Sequence, residues 1–306
     1  RFRFGFIASS DNHRARPGTG YKEKDRFVTT EANGPSSEAI AGVLYPKSPP
    51  VAESIDYGGR EGLIGMGFRA FEVERQASFF TTGGLAAVHS TGRDRQSIWD
   101  SMKRKETYGT SGDRILLWFD LINGDNKIPM GGEIATLENP KFHVKAVGSL
   151  KQKPGCPDFR DSTVSEEDIE RICKNECYNP SDERKIITRI EVIKVSPQNI
   201  IGEDVDNLIE DPWRVFNCPL DQNGCEVSFE DKSYSVNQRD VSYYVRAIQE
   251  PSSSVNAKNI RCEYNEKGEC IKVNLCYGDF RTAKDDDCLT MIEERAWSSP
   301  IFVDYL

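Results

Sequence analysis

The apolar positions at the start of the chain form an almost unbroken run. Phe4 to Ala8 carries no charged residue, and the stretch ends in Asp11-Asn12-His13. A run of this kind predicts a strand buried on both faces, as in a parallel sheet or barrel, and residues just past its carboxyl end lie where such folds keep their chemistry. Leu85 to Val88 is a second apolar run, and it ends in His89.

The segment between these two runs is polar. Arg14 to Gly59 is rich in Pro, Gly, Ser and charged residues, which predicts a long lid or binding loop with a short helix at Ser36 to Ala41. A second helix is predicted to begin at Asp94 as its N-cap, with Ile98 and Met102 on its apolar face.

From Asp113 onward the pattern changes to short strands separated by turns. Apolar Ile190 and Val192 alternate with Arg189 and Glu191, the period of two typical of half-buried antiparallel strands. A helix capped by Ser165 interrupts this pattern. The predicted strands are Arg114 to Leu121, Phe142 to Val147, Ile186 to Val195, Val241 to Ile248 and Ile301 to Tyr305. The chain is therefore predicted to divide into an α/β part at residues 1–112 and an antiparallel β-sandwich-like domain at residues 113–306.

Composition excludes some classes of partner. The 306 residues are 37% hydrophobic, enough for packed cores. A net charge of −9 argues against nucleic acid, because no basic surplus exists to displace counterions from a phosphate backbone. No apolar run approaches the roughly 20 residues that a membrane helix needs, so no membrane span is expected.

Three residues are candidates for chemistry at the ends of the apolar runs. Asp11 and His13 are spaced so that a carboxylate oxygen and an imidazole nitrogen can share one divalent metal, since zinc accepts both at about 2.0–2.2 Å. The alternative is an ordinary turn in which Asp11 bonds its own backbone and His13 is solvated. His89 has a similar placement, and its alternative role is that of a structural histidine. His143 lies inside a predicted strand and is expected to be structural.

Arg93 and Ser111 are further residues with possible chemistry. Arg93 precedes the predicted helix start, where a substrate phosphate or carboxylate could be held, and the alternative is a solvated or ion-paired arginine. Ser111 lies in Gly109-Thr110-Ser111-Gly112, which lacks the Gly-x-Ser-x-Gly spacing of a nucleophile elbow. Ser111 is therefore not predicted to be a nucleophile.

Several motifs resemble one known family. They are Ser9-Ser10-Asp11-Asn12-His13, Gly83-Gly84-Leu85-Ala86-Ala87-Val88-His89-Ser90, Lys105-Glu106-Thr107-Tyr108-Gly109-Thr110-Ser111-Gly112 and Arg295-Ala296-Trp297-Ser298-Ser299-Pro300. The chain resembles the carboxyl-terminal half of domain of unknown function 3604, a family similar to the PHP (polymerase and histidinol phosphatase) metalloproteins. The resemblance implies the last part of a distorted β/α barrel ahead of the β domain.

The resemblance also implies a function. It makes Asp11 and His13 ligands of a divalent metal, Zn, Mn or Fe, in a hydrolase of small-molecule esters or phosphoesters. His89 would then protonate the leaving group or orient substrate, and Ser10 and Arg93 would contact substrate. Because the earlier ligands of such a site would precede Arg1, we expect an upstream half of the same protein to complete it and this chain alone to bind metal weakly. The alternative is a secreted binding or structural protein without catalytic activity.

The nine cysteines are concentrated in the second half of the chain. Short spacings without repeated Cys-x2–4-Cys knuckles favour disulfides over a zinc site. Tight turns predict the pairs Cys218–Cys225 and Cys262–Cys270, and Cys276–Cys288 would close the acidic loop between them. Cys156 could reach Cys173 or Cys177, and the odd count leaves one cysteine over. Disulfides predict a periplasmic or extracellular protein.

Overall fold

Alternating burial along single strands shows how the β structure forms. In the computed structural model, which describes residues 2–9, 35–44, 61, 64, 84–158, 165–173, 175–255, 261–274 and 280–306, Lys141–Val147 is one such strand. It buries Phe142, Val144 and Ala146 and exposes the lysines at its start and middle. This is the result expected when successive side chains point to opposite faces of a sheet with one covered side.

Four α-helices and sixteen strands have bounds within the described residues, and Glu61 and Ile64 are also helical. The helices are α1 Glu38–Leu44, α2 Arg95–Lys103, α3 Glu166–Cys173 and α4 Tyr234–Asn237, and a 3₁₀ turn covers Asp206–Leu208. The first eight strands are β1 Leu85–Val88, β2 Thr107–Thr110, β3 Leu116–Asn123, β4 Asn126–Pro129, β5 Glu133–Thr136, β6 Lys141–Val147, β7 Leu150–Gln152 and β8 Pro180–Arg184. The others are β9 Ile187–Val195, β10 Ile209–Asn217, β11 Cys225–Glu230, β12 Val241–Val255, β13 Cys262–Tyr264, β14 Cys270–Val273, β15 Leu289–Ser298 and β16 Ile301–Tyr305.

Two larger sheets organise these strands. An eight-stranded sheet follows the order β1-β2-β15-β12-β16-β5, with β9 pairing β12 and β10 pairing β9. A four-stranded sheet has the order β11-β6-β3-β4, and two small sheets are formed by β13 with β14 and by β7 with β8. β16 pairs with β5 in parallel, whereas antiparallel pairing joins β1 with β2, β2 with β15, β9 with both β10 and β12, β12 with β16, β6 with both β3 and β11, β3 with β4, β7 with β8, and β13 with β14.

The two larger sheets contribute side chains to one core. Phe142 is its centre, with ring centroids 5.4 Å from Phe119, 5.1 Å from Phe229 and 4.7 Å from Tyr243. Phe119, Phe142 and Phe229 belong to the four-stranded sheet, and Tyr243 lies on β12 of the other sheet. Each such aromatic residue removes a large apolar area from water, so this contact stabilises both sheets together.

The predicted β-rich architecture is confirmed. Each of the five strands predicted after residue 113 is present with its end residues shifted by a few positions at most, except that β12 continues to Val255. The predicted caps are also present, because Asp94 accepts from the Ser97 N–H at 2.9 Å and Ser165 from the Asp168 N–H at 3.1 Å. β1 and β2, which precede residue 113, pair in the same sheet as β15, which follows it.

The expectation of a buried first strand is wrong for the described residues. Residues 2–9 form no assigned strand, and the side chains of Phe4 and Ile7 are 60% and 65% exposed. No barrel closes in the part of the chain that the structure describes. An apolar segment becomes fully buried only if other elements cover both of its sides. The described elements cover only one side of this segment.

The described residues divide into two compact units. The first comprises the segment up to Ser9, Gly84–Pro251 and Glu293–Leu306, and it contains the core described above. The second comprises the described parts of Ser10–Gly83 and Ser252–Ile292. None of the described helices is long and apolar enough to cross a membrane.

Disulfides join neighbouring turns and strands. Cys218–Cys225 and Cys262–Cys270 are bonded as the sequence predicts, and Cys156 pairs with Cys177. Cys288 is also disulfide-bonded, while its predicted partner Cys276 lies outside the described residues. Disulfides are typical of proteins in oxidising compartments.

Substitution of Phe142 by Ala tests the shared core. We expect the free energy of unfolding to fall by about 3–5 kcal/mol, because the variant leaves a cavity between three other aromatic rings. Leu116→Ala on the neighbouring strand is the control, since Leu116 is 37% exposed and should lose much less. Chemical denaturation measures both, and equal losses would mean that the Phe142 contacts do not hold the sheets together.

Candidate functional site at His89 and a buried carboxyl cluster at Glu294

The residues predicted to bind a metal at the end of the first apolar run are not part of the described structure. Ser10, Asp11 and His13 lie outside the described residues, because Ser9 is the last described residue of that segment. Their predicted roles as substrate contact and metal ligands remain predictions.

The path of the segment before Ser9 is set by two close backbone contacts. A Cβ atom at Gly109 would lie 2.9 Å from the Ala8 Cβ, and one at Gly84 would lie 2.8 Å from the Ser9 carbonyl oxygen. Only glycine permits such approaches without displacing the backbone. The segment therefore passes over β2 and reaches β1 at its amino end.

His89 lies at the other end of β1. Its backbone N–H donates to the Glu106 carbonyl at 2.9 Å, next to the pairing of Val88 with Thr107. The Ser9 contact is at Gly84, just before β1, and His89 follows β1 directly, so the two points lie roughly 17 Å apart along the strand. As far as Ser9, the described structure therefore brings the first apolar run to the opposite end of β1 from His89.

The imidazole of His89 is half-buried and fixed in orientation. Its Nε2 is 2.8 Å from the Leu117 carbonyl oxygen, and its ring lies 5.5 Å from Tyr108 and 5.8 Å from Trp118. A carbonyl oxygen can only accept, so Nε2 carries the proton. In the neutral ring the lone pair is then on Nδ1, where it can accept a proton or bind a metal.

Arg93 lies on the surface beside the start of α2. The carboxylate of the adjacent Asp94 accepts from the Ser97 hydroxyl and backbone N–H, and these bonds hold the pKa of Asp94 below its ordinary value. The Asp94 side chain thus caps the amino end of α2, the position where a substrate anion was expected. The described structure brings Arg93 and His89 into no common contact, and the predicted substrate contact of Arg93 remains a prediction.

His143 occupies the position of a structural residue. It lies on β6, and its Nε2 is 2.8 Å from Oε1 of Glu226 on the paired strand β11. Its hydrogen bond belongs to a cross-strand pair at the surface of the sheet.

A buried polar cluster that the sequence did not predict lies where β2 and β3 are joined. Oδ2 of Asp113 accepts from Lys185 at 2.6 Å, Ser149 at 3.0 Å and Gln249 at 2.5 Å. These partners come from the ends of β6 and β8 and from β12, so the cluster joins strands of both larger sheets. Asp113 is 5% exposed, and the ammonium of Lys185 compensates its charge.

Glu294 on β15 is the second carboxyl of this cluster. It is 1% exposed, its Oε2 accepts from the Ser111 hydroxyl, and its Oε1 has no hydrogen-bond partner among the described residues. Burial raises the pKa of Glu294 to about 7, the Ser111 hydroxyl opposes the shift, and the nearby charge of Asp113 adds to it. Glu294 shares the buried face of β15 with Ala296 and Ser298. A search for apolar residues alone does not find this face, because two of its three residues are polar.

A second buried carboxylate shows what a fully satisfied site looks like. Asp231 accepts from Lys194 at 2.8 Å, from the Tyr243 hydroxyl at 2.6 Å and from the Ser233 hydroxyl at 2.6 Å. Although burial opposes it, these donors hold the pKa of Asp231 below its ordinary value. We assign this group a structural role.

The described residues do not form a metal site by themselves. No group of three or more His, Cys, Asp or Glu side chains in the described part of the chain is arranged to hold a metal ion. A zinc site needs three or four protein ligands, so a metal near His89 would require ligands outside the described residues.

Comparison with known proteins gives one match. A family model described as "Protein of unknown function (DUF3604)" matches residues 1–153, which include His89, Arg93 and the Asp113 part of the buried cluster. No curated protein and no solved structure matches the chain.

The protonation of His89 is directly measurable. We expect ¹⁵N NMR of the imidazole groups to show the neutral ring of His89 as the tautomer with the proton on Nε2, because the Leu117 carbonyl accepts from that nitrogen. A substitution of the Leu117 side chain cannot test the contact, because the backbone carbonyl stays in place. His89→Gln removes the imidazole and therefore identifies its NMR signal. A proton found on Nδ1 would show that the ring is not held by Leu117.

Proposed function

The chain belongs to the DUF3604 family, whose description leaves the activity open, and we propose that it is a hydrolase of small-molecule esters or phosphoesters in which His89 accepts a proton. One observation carries the proposal, namely the hydrogen bond from Nε2 of His89 to the Leu117 carbonyl. It leaves Nδ1 as the basic nitrogen and keeps the ring in one orientation.

This arrangement suits a general base. A histidine held by a backbone carbonyl loses little freedom when it takes a proton, and the imidazolium that results still donates to Leu117 through Nε2. The rings of Tyr108 and Trp118 lie beside the imidazole and limit its movement. Protonation of a leaving group, the role expected from the resemblance, would then use the proton gained at Nδ1.

A divalent metal and the relationship to PHP proteins are further parts of this proposal, and they rest on the sequence. Asp11 and His13 would hold the metal, which when bound would polarise the substrate and lower the pKa of a bound water. The described residues do not complete such a metal site. The role that we propose for His89 therefore does not depend on a bound metal.

The disulfides favour a second candidate, a secreted binding or structural protein. Cys156–Cys177, Cys218–Cys225 and Cys262–Cys270 link segments of a predominantly antiparallel β structure. Under either proposal we place the protein in the periplasm or outside the cell, where such bonds persist.

An activity assay distinguishes the two candidates. The protein is incubated with nitrophenyl carboxylate and phosphate esters, in the presence of Zn, Mn or Fe or of a chelator. We expect hydrolysis that falls by about 10²–10⁴-fold in His89→Gln, because general-base catalysis typically contributes that much.

The matched control is His143→Gln, which removes a histidine that pairs with Glu226 at the sheet surface. It should leave the rate unchanged. Hydrolysis that is equally fast in His89→Gln would remove His89 from the reaction, and no hydrolysis of any of these esters would favour the binding protein.

A further inference from the structure

We propose that Glu294 and Ser111 form a protonation-dependent contact between β15 and the end of β2, closed when Glu294 is neutral and loosened when it is charged. This inference does not depend on the hydrolase proposal. It rests on a carboxyl group that is 1% exposed and has one oxygen without a partner among the described residues.

The contact ties two strands at the end of their ladder. β2 pairs with β15 from Thr110 with Ala296 to Tyr108 with Ser298. Beyond this ladder the Ser111 N–H donates to the Arg295 carbonyl at 2.9 Å, and the Arg295 N–H donates to the Ser111 hydroxyl oxygen at 2.9 Å. Ser111 therefore connects the strand end to the carboxyl group of Glu294.

The Ser111 hydroxyl has two acceptors within reach, and the charge of Glu294 decides between them. With Glu294 ionised, the hydroxyl donates to Oε2. With Glu294 neutral, its own O–H can donate to the Ser111 oxygen, and the serine proton then turns to the Arg295 carbonyl at 3.3 Å. In the neutral state every proton of the pair has an acceptor, and no charge is left on the buried Oε1.

Burial is the main cost of ionising Glu294; among the charged groups around it, Asp113 adds to that cost, whereas Lys185 and Arg295 oppose it. Asp113 stands nearby and already holds the Lys185 ammonium through Oδ2, at 2.6 Å. Arg295 on the same strand donates through Nε to the Glu293 carbonyl, and the carboxylate of Glu293 accepts from Arg189. A charged Glu294 would thus be a second buried carboxylate beside Asp113, and one of its oxygens has no hydrogen-bond partner among the described residues.

The sign of the pH dependence follows from these contacts. The folded state holds the Glu294 proton more tightly than the unfolded chain, in which the carboxyl has its ordinary pKa of 4.5. The stabilisation is complete below that pH and is lost as the pH rises toward about 7. Loosening should appear first where Ser111 meets Arg295.

Glu294→Gln tests the proposal, because glutamine keeps the shape of the neutral carboxyl and cannot ionise. Between pH 5 and pH 8 we expect the unfolding equilibrium constant of the native protein to rise by roughly 100-fold more than that of Glu294→Gln. In the native protein, hydrogen-exchange protection of the Arg295 N–H should fall over the same interval, whereas in the variant it should not.

Glu293→Gln is the matched control, since it removes the neighbouring carboxylate that pairs with Arg189. It should keep the pH dependence of the native protein. If Glu294→Gln does not fold, ¹³C NMR titration of the carboxyl in the native protein decides, with Asp113→Asn expected to lower the midpoint. A Glu294 midpoint near the ordinary value, or the same pH dependence in native protein and Glu294→Gln, would overturn the proposal.

Discussion

Because the rings of Phe119, Phe142 and Phe229 can leave water only against the other sheet, the two larger sheets form as one unit. The four-stranded sheet covers one of its faces with these rings, and β12 supplies Tyr243 as their counterpart. An antiparallel sheet with one solvated face has no other means of burying them. The positions of β2, β3 and β15, and with them His89 and Glu294, depend on this contact.

Two buried carboxylates in this fold differ in how completely they are satisfied. Asp231 has donors from Lys194, Ser233 and Tyr243, so its charge stabilises one arrangement of the surrounding strands. Among the described residues Glu294 has one donor and an oxygen without a partner, and its burial favours the neutral form. The first group therefore acts as a fixed part of the core, whereas the second can respond to pH.

His89 shows how a backbone contact can define the chemistry of a side chain. Many surface histidines are free to exchange tautomers, but the Leu117 carbonyl makes Nδ1 the basic nitrogen of this one. The ring also lies between aromatic side chains at the end of β1, away from the contact that Ser9 makes with the other end. Any partnership with Asp11 or His13 therefore has to be made by the chain beyond Ser9.

The sequence alone determined the local features of this protein. Strand-sized segments separated by turns predicted β3, β6, β9, β12 and β16, with alternation of period two in β6 and β9. Side-chain oxygens at Asp94 and Ser165 predicted two helix starts, and short spacings predicted the disulfides Cys218–Cys225 and Cys262–Cys270. Each depends on residues close together in the chain, whose geometry is set by backbone periodicity, capping or a tight turn. The matched DUF3604 family also follows from the sequence.

Only the tertiary structure decided which distant residues meet. The apolar run at Phe4 looked like a buried strand, but burial depends on what covers both sides, and Phe4 and Ile7 are largely exposed. Asp113, Lys185, Gln249 and Glu294 are far apart in the chain and carry no common motif, so their cluster could not be predicted. Long-range strand pairing brought them together, because the register of a strand fixes which of its side chains face inward.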